Sequence, residues 1–461
     1  MPAIHWFRRD LRITDNTALA AACKGGGEVV PVYVASDWKG THHWTGAPRQ
    51  EFLCGCLQSL SQNLAAVGGS LIIRRGHADE ELEKLAVETK AEVIYFNHAP
   101  DPFGRQMEER VENMARRLGL KVRAFKDVAI HERDEILTST GSPYRVFTPY
   151  ARTWMQTAKP AAQPAQRRIC TPPGIKSLPL PVLADWDLVS TAAIPAAGEK
   201  AARKRLKEFL AGPLLSYSGH RDIPFGRNTS CLSTDLRHGA ISIREIYWQC
   251  VDLAKESEAE RRKSIFTFIN ELIWREFYMQ ILWHFPEVLE HEFNPKLRNL
   301  KWRNAGEGFQ RWCDGRTGFP IVDAGMRQLN ATGFMHNRLR MITAMFLTKD
   351  LHIDWRHGER YFMQKLVDGE IASNNGGWQW SAGTGADAAP YFRIQNPWSQ
   401  TARFDPQGEY VRQWVPELRN TDASKFMKAP AGGSSIAKNY PPPMVDHAAE
   451  RDVTLEMFRQ P

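Results

Sequence analysis

Cysteine is sparse in this chain of 461 residues, and its spacing excludes several classes of protein. The seven cysteines are odd in number and scattered, and no two of them form a Cys-x-x-Cys pair. A disulfide framework, a zinc site or an iron–sulfur site would need cysteines at short, paired spacings. We therefore expect reduced, ordinary cysteines and no metal site.

Long apolar runs are also missing. No stretch approaches the length of a membrane span, and the opening Met-Pro-Ala-Ile-His-Trp-Phe-Arg-Arg does not have the pattern of a signal peptide. The expected location is the cytoplasm, without a membrane partner. A net charge of +8, from 60 basic and 52 acidic residues, is compatible with nucleic acid but does not establish it.

A glycine-rich dinucleotide fingerprint is absent from the first 130 residues, although their pattern is that of an α/β domain. Helical patterns at 49–67, 79–89 and 105–118 alternate with short apolar runs. This alternation predicts βαβ units and a doubly wound parallel sheet, in a Rossmann-like domain over 1–130. Without a G-x-G-x-x-G after the first strand, a standard dinucleotide site is not expected there. The predicted strands are 3–7, 29–34, 71–74, 93–96 and 122–125.

The chain changes character after this domain. Seven prolines lie between residues 159 and 198, so we predict a connector over 131–200. Helical periodicity then dominates, which predicts an all-α domain over 201–461. The clearest helical segments are 201–210, 243–256, 265–283 and 322–329.

One segment of the second half, 368–380, is unusual in composition. It reads Asp-Gly-Glu-Ile-Ala-Ser-Asn-Asn-Gly-Gly-Trp-Gln-Trp, and eleven of the 15 tryptophans of the chain lie after residue 185. We predict a turn that brings backbone and amide groups close to a flat aromatic ligand. A glycine-rich turn beside two core tryptophans is the alternative.

Three further segments carry polar side chains at helical spacings. The hydroxyls around 229–233 suit either a phosphate at a helix start or a plain N-cap. Residues 268–278 place a glutamate one turn from a tryptophan, and 335–341 place Asn, Arg and Met on one helix face. Each pattern taken alone is also that of an ordinary amphipathic helix.

Together these segments resemble the DNA photolyase/cryptochrome family over nearly the whole chain, and most closely its class I cyclobutane pyrimidine dimer photolyases. The matching motifs are Trp-Phe-Arg-Arg-Asp-Leu-Arg at 6–12, Thr-Ser-x-Leu-Ser at 229–233, Asn-Glu-Leu-Ile-Trp-Arg-Glu-Phe-Tyr at 270–278, Gly-Phe-Met-His-Asn-Arg-Leu-Arg-Met at 333–341, Asp-Trp-Arg at 354–356, Asn-Asn-Gly-Gly-Trp-Gln-Trp at 374–380 and Tyr-Phe-Arg-Ile at 391–394.

The resemblance implies that the helical domain binds FAD in a folded conformation. Asn374 would face the flavin N5 atom. Glu370 stands where relatives usually have Asp, which puts the geometry of that contact in question, and Phe268 replaces a common Trp. The implied FAD contacts are Tyr217, Thr229, Ser230, Ser233, Arg275, Arg340, Asp368, Glu370 and Asn374.

The implied reaction is light-driven electron transfer from reduced FAD to a pyrimidine dimer flipped out of DNA. Glu271 and Asn337 would hydrogen-bond the dimer. Contacts to the bases or to the DNA phosphates are implied for Trp274, Trp380, Met341, Arg221, Arg338 and Arg393.

A chain of three tryptophans would deliver electrons to oxidised flavin in this family. The matching positions are Trp378, Trp355 and Trp302, and Trp312 is an alternative terminus that fits the sequence spacing less well.

Two positions bear on the substrate. Relatives that repair (6-4) photoproducts carry histidines where Asn337 and Met341 stand, so cyclobutane dimers are the expected substrate. A cryptochrome-type blue-light receptor without repair activity is the alternative. The complete set of dimer-facing residues favours repair.

The resemblance further implies a monomer and an antenna pigment in the first domain, either methenyltetrahydrofolate or 8-hydroxy-deazaflavin. The candidate wall residues are His43, Trp44, Arg49, Asp101 and Arg105.

Overall fold

A five-stranded parallel sheet forms the N-terminal part of the chain. The computed structural model describes residues 2–387 and 394–459. The strand order is β3-β2-β1-β4-β5, and Ile4 of β1 lies beside Val30 of β2 and Ile94 of β4. The α/β prediction is confirmed, and each predicted strand agrees to within a residue or two. The strands are β1 (Ala3–Phe7), β2 (Val29–Ala35), β3 (Ile72–Arg75), β4 (Val93–Asn97) and β5 (Lys121–Phe125).

The chain divides into two compact units. The first contains residues up to 190, 195–216 and 230–284, and the second contains 191–194, 217–229 and the chain from 285 onward. The predicted division into domains at 1–130, 131–200 and 201–461 stays a prediction. The α-helices of the first unit are Thr17–Cys23, Trp38–Thr41, Ala47–Ala66, Ala78–Thr89, Pro102–Leu118, Phe147–Gln156, Glu199–Ala211, Ser233–His238, Ile243–Lys255 and Ala259–His284.

A buried cluster of four charges joins the start of the 243–255 helix to the segments that follow β1 and β5. Arg12 donates to both carboxylate oxygens of Asp127, at 2.8 and 2.9 Å. Arg244 donates to Asp127 at 2.7 Å and to Asp15 at 3.0 Å. All four side chains are at most 3% exposed, so each charge depends on its partners for stabilisation. Arg12 is the last residue of the motif at 6–12, which therefore has a structural role.

A second clamp fixes the 259–284 helix on the loop that follows β5. The Glu276 carboxylate accepts the backbone N–H groups of Ile130 and His131 and the indole N–H of Trp154. The neighbouring Arg275 donates to the Val128 carbonyl at 2.8 Å. Burial raises the pKa of Glu276, because removing the carboxylate from water disfavours its charged form. The orientation of this helix is set by these bonds.

The second unit is helical. One apolar cluster at its centre includes Trp312, Trp355 and Trp378, with Trp302 packed against it. Among the described residues, we find no helix with the length and apolar character needed to cross a membrane. The α-helices of this unit are Tyr217–His220, Gly306–Cys313, Pro320–Thr332, Asn337–Met345, Trp355–Lys365, Ile371–Ala382, Pro397–Phe404, Glu409–Trp414 and His447–Arg459, with a π-helix at Phe346–Asp350.

The predicted turn at 368–380 is wrong over most of its length. Ile371–Ala382 is an α-helix that ends at Gly383, in the left-handed region with φ 84°. Asn375 and Gln379 both donate to the Val288 carbonyl, at 3.0 and 2.9 Å. These buried bonds outweigh the low helix propensity of the two glycines within the segment.

The charge cluster predicts a large stability loss on Arg244→Ala. This change removes one of the two arginines that neutralise the buried Asp15 and Asp127 carboxylates. We therefore expect the free energy of unfolding, measured in urea, to fall by about 3–5 kcal/mol. Lys255→Ala on the same helix removes only an exposed pair with Asp252 and should cost less than about 1 kcal/mol. Equal losses for the two variants would refute the role given to the cluster.

Candidate functional site

One face of the 259–284 helix carries the predicted lesion-facing side chains. Within 271–282, only Glu271, Trp274, Arg275 and Tyr278 are half-buried, and the other residues are buried. These four lie at spacings of three and four, so they form one face, as the sequence predicts. Over residues 271–282 the helix is thus packed on all sides except the face that carries a carboxylate and two aromatic rings.

Trp274 is backed by an aromatic ring that sequence reasoning missed. Its indole stacks on Phe147, with ring centroids 3.7 Å apart and planes 5° apart. The rings of Phe277 and Tyr278 also lie 5.6 Å from the indole, so Trp274 is held by three aromatic neighbours. Phe147 begins a helix inside the predicted connector, where no periodic signal pointed to it.

The predicted phosphate and flavin contacts of the first unit have backbone partners. Arg275 donates to Val128, and at 3.4 Å to the Leu236 carbonyl. The Ser230 hydroxyl accepts the Leu232 N–H at 3.3 Å. Ser233 is the first residue of the Ser233–His238 helix. Thr229 and Tyr217 belong to the second unit.

In the second unit, the half-buried Arg340 forms an ion pair with the buried Asp368. The guanidinium Nη2 lies 2.8 and 3.1 Å from the two carboxylate oxygens, and Nε donates to the Met335 carbonyl at 2.8 Å. Asp368 and Glu370 are both buried just before the 371–382 helix, with Glu370 at its N-cap position. The hydrogen bonds hold the Arg340 guanidinium and the Asp368 carboxylate in fixed positions just before this helix.

The 371–382 helix has an open face. Asn374, Gly377 and Trp380 are half-buried and lie three residues apart. The Asn374 side-chain nitrogen donates to the Glu359 carbonyl at 3.0 Å, so the amide oxygen is the atom that Asn374 can offer to a ligand. A Cβ built on Gly377 would meet no described atom within 4 Å. A flat ligand can therefore approach the helix backbone closely here.

The opposite face of this helix is buried and polar. Besides its bond to Val288, Asn375 donates to the Glu359 carboxylate at 3.0 Å. Gln379 donates to the His291 carbonyl at 3.1 Å and accepts the Phe293 N–H at 2.8 Å. The sequence did not distinguish these structural amides from Asn374, because all of them lie in the same polar run.

The three predicted relay tryptophans belong to neighbouring segments. The Trp378 ring lies against Gly358, where a Cβ would be 2.0 Å from its Cη2 atom, and Trp355 begins the same 355–365 helix. The Trp355 indole donates to Glu292 at 3.2 Å. A backbone bridge between residues 303 and 353 places the Trp302 segment beside that helix start.

Exposure separates the two candidate termini. Trp312 is 0% exposed, whereas Trp302 is half-buried. Trp312 also lies 6.0 Å from Trp378, between ring centroids. A relay that ends at solvent needs an exposed last member, which favours Trp302.

The predicted DNA-facing residues of the second unit lie near the start of the 337–345 helix. Asn337 is exposed and Met341 is half-buried. Arg338 pairs with Asp222 at 2.8 Å and stacks on Phe404, with its guanidinium 4.5 Å from the ring centroid. Arg221 lies over the Tyr217 ring at 5.5 Å. Arg393 is outside the described residues.

The antenna candidates split into two groups. His43 and Trp44 belong to an aromatic cluster with His42 and Phe103, whose ring centroids are 4.4–6.0 Å apart. Arg49 donates to the Trp44 carbonyl. The others have structural partners, since Asp101 caps the 102–118 helix and Arg105 stacks on Trp283 at 4.9 Å.

Comparison with known proteins identifies close relatives. Residues 3–168 match a family model described as DNA photolyase, and 268–460 match one described as the FAD binding domain of DNA photolyase. A deoxyribodipyrimidine photo-lyase of Agrobacterium fabrum is 39% identical, covering 99% of this chain and 97% of its own. The crystal structure of a bacterial class III photolyase from Agrobacterium tumefaciens superposes with TM-score 0.92 at 38% identity, over 99% and 97% of the two chains. An archaeal photolyase from Sulfolobus tokodaii with two FAD molecules superposes with TM-score 0.86 at 29% identity, over the full length of both chains.

Two glycines provide a matched test of the site. Gly358→Ala places a methyl group inside the Trp378 ring, so we expect a loss of about 1–3 kcal/mol and a changed tryptophan fluorescence spectrum. Gly377→Ala meets no described atom and removes a helix-interior glycine, so stability should rise by about 0.5–1 kcal/mol. Urea unfolding of the cofactor-free chain measures both. If the free energy of unfolding shifted with the same sign in both variants, the Trp378 side and the Gly377 side of the 371–382 helix would not differ in packing as described.

Proposed function

The chain belongs to the DNA photolyase family, and on that premise we propose that it splits cyclobutane pyrimidine dimers by light-driven electron transfer to a dimer flipped out of the duplex. Family membership itself establishes an FAD-dependent enzyme of light-driven DNA repair, with DNA as substrate. The choice of lesion, the roles of single residues and the electron route are the parts proposed here, together with a cytoplasmic, monomeric state.

The observation that carries the proposal is the open face of the 259–284 helix. Trp274 is half-buried and held in place by stacking on Phe147, so its indole offers a rigid surface on which a base can stack. Glu271, one turn away on the same face, supplies hydrogen-bond acceptors. A stacking surface beside a hydrogen-bonding group is what recognition of an extruded base requires.

The residues at 337 and 341 support a cyclobutane dimer over a (6-4) photoproduct. The chain has an amide and a thioether where relatives that repair (6-4) photoproducts have histidines. Asn337 donates and accepts hydrogen bonds but does not exchange protons near neutral pH, and Met341 adds only apolar contact. Splitting a cyclobutane ring needs no acid or base from the protein, so this pair suits that substrate.

The open face of the 371–382 helix supports the proposed FAD contacts of the second unit. Gly377 leaves room for a flat ring system, Asn374 directs its oxygen outward, and the Arg340–Asp368 pair fixes polar groups before the helix. When bound and reduced, FAD would supply the light-driven electron donor for this chemistry. Asn374 would offer its amide oxygen to the flavin as a hydrogen-bond acceptor that adds no charge.

The buried face of the same helix supports a separate route for reducing the cofactor. Trp378, Trp355 and Trp302 lead from this helix to a half-buried indole. The Glu292 carboxylate accepts a hydrogen bond from Trp355 and thereby favours positive charge on that indole. The three indoles thus carry electrons from outside to the cofactor before repair begins.

Arginines are proposed to hold the DNA backbone. Arg338 is kept in place by Asp222 and Phe404, and Arg221 by the Tyr217 ring, so both are ordered before DNA arrives. Arg393 completes the set by resemblance alone. Phosphate contacts of this kind weaken as salt is raised.

A second pigment is proposed in the aromatic cluster around Trp44. The archaeal neighbour holds two FAD molecules, which supports a second light-harvesting cofactor in this chain. The rings of His42, His43, Trp44 and Phe103 offer stacking surfaces for a planar pigment. Its identity as a folate or a deazaflavin is left to the absorption spectrum of the denatured protein.

The function is tested with purified, reduced protein and two oligonucleotides, one with a cyclobutane thymine dimer and one with a (6-4) photoproduct. We expect light-dependent loss of the first lesion and not of the second. Glu271→Ala should lower the repair yield about 10- to 100-fold, because a hydrogen bond to a charged group is worth about 1.5–3 kcal/mol. Glu260→Ala, at the exposed start of the same helix, is the control and should match the unaltered protein.

Repair of neither lesion in the light, with FAD bound and reduced, would contradict the proposal. That result would favour the cryptochrome-type receptor instead.

A further inference from the structure

A buried carboxyl group lies behind the two asparagines of the 371–382 helix. Glu359 is 3% exposed and belongs to the Trp355–Lys365 helix. Its backbone carbonyl accepts the Asn374 side-chain N–H, and its carboxylate accepts the Asn375 side-chain N–H, each at 3.0 Å. No step of the proposed repair or photoreduction uses this carboxyl group.

The side chains of the 371–382 helix that contact Glu359 are amides, which do not titrate. Asn375 is also bonded to the Val288 carbonyl at 3.0 Å, and its side-chain oxygen lies 3.4 Å from the Gln379 nitrogen. Gln379 in turn lies next to Thr384, whose hydroxyl is 3.4 Å from its side-chain oxygen. Glu359 is therefore the titratable end of a line of buried amides.

The charged groups that act on Glu359 come mainly from its own helix. Arg356 and Arg360 favour the ionised form, and Asp354 opposes it. Arg356 is itself bound by Glu292 from the packed segment 286–292 and by Asp354, which weakens its effect on Glu359. Burial dominates and raises the pKa of Glu359 to about 7.

We propose that Glu359 is a positioning residue for the bound FAD: its backbone carbonyl orients the Asn374 amide, and its carboxyl group sets the charge behind the Asn374–Asn375 pair. This inference rests on the proposed function, because it places Asn374 beside the flavin. The carboxyl group exchanges its proton with solvent and transfers nothing to the cofactor.

The sign of the effect follows from charge. Below about pH 6 Glu359 is protonated and neutral, and above about pH 8 it carries a negative charge. A negative charge behind the amides opposes the addition of electrons to the cofactor. The reduction potential of bound FAD should therefore fall with rising pH more steeply through this interval than proton uptake by the cofactor alone requires.

Glu359→Gln tests the proposal, because glutamine keeps an acceptor for Asn375 and cannot ionise. Potentiometric titration of FAD-loaded protein should give equal potentials for variant and unaltered protein at pH 6, and a higher potential for the variant at pH 8. Glu307→Gln makes the same change of charge on an exposed residue of this unit and should match the unaltered protein at both pH values.

Infrared spectra of the cofactor-free chain provide a second readout. Glu132, whose pKa burial raises to about 8, loses carboxylic-acid C=O absorption in the same interval in both chains. The unaltered chain should therefore lose more of this absorption between pH 6 and pH 8 than Glu359→Gln, and the difference is the band of Glu359.

Coincident potentials of Glu359→Gln and the unaltered protein at every pH, with FAD bound and dimers repaired, would overturn this inference alone. Identical infrared titrations of the unaltered chain and Glu359→Gln would do the same. Failure of the unaltered chain to bind FAD would overturn the proposed function along with it.

Discussion

The need to pair buried charges and amides fixes the two helices that carry most of the predicted site. In the first unit, Glu276 accepts three N–H donors, and the Arg12, Asp15, Asp127 and Arg244 cluster buries two charges of each sign. In the second unit, Asn375 and Gln379 are bonded to backbone carbonyls of the 288–291 segment. A buried polar group without a hydrogen-bond partner lowers stability by about 1–3 kcal/mol, and by more when it is charged. A rotation of either helix that broke these bonds would therefore be unfavourable. The face left open is then the face available to ligands.

The 371–382 helix carries residues of both proposed electron routes. Its open face presents Asn374, Gly377 and Trp380, and its buried face holds Trp378 against Gly358. Trp378 and Trp380 are two residues apart and therefore point to nearly opposite sides of the helix, so substitution of one need not disturb the other. We infer that reduction of the cofactor and repair of the lesion use separate sides of this helix. Glu359 lies behind the same helix, where it can tune the cofactor without touching it.

The sequence predicted the regular elements well, because strand and helix patterns are local. It predicted the spacing of Glu271, Trp274, Arg275 and Tyr278 on one face for the same reason. It failed at 371–382, where glycines and amides favour a turn locally but long-range bonds to the 288–291 segment impose a helix. Phe147 and Gly358 were missed because their roles depend on partners 127 and 20 residues away, Trp274 and Trp378. The Asp127–Arg244 pair, 117 residues apart, has no local signal at all.

The separation of the two routes is the central claim, and repair and photoreduction measured on the same two variants test it most directly. Trp378→Phe should abolish photoreduction of oxidised FAD while chemically reduced protein still repairs thymine dimers. Trp380→Leu should lose repair and retain photoreduction. Loss of both activities in either variant, with FAD still bound, would contradict the account.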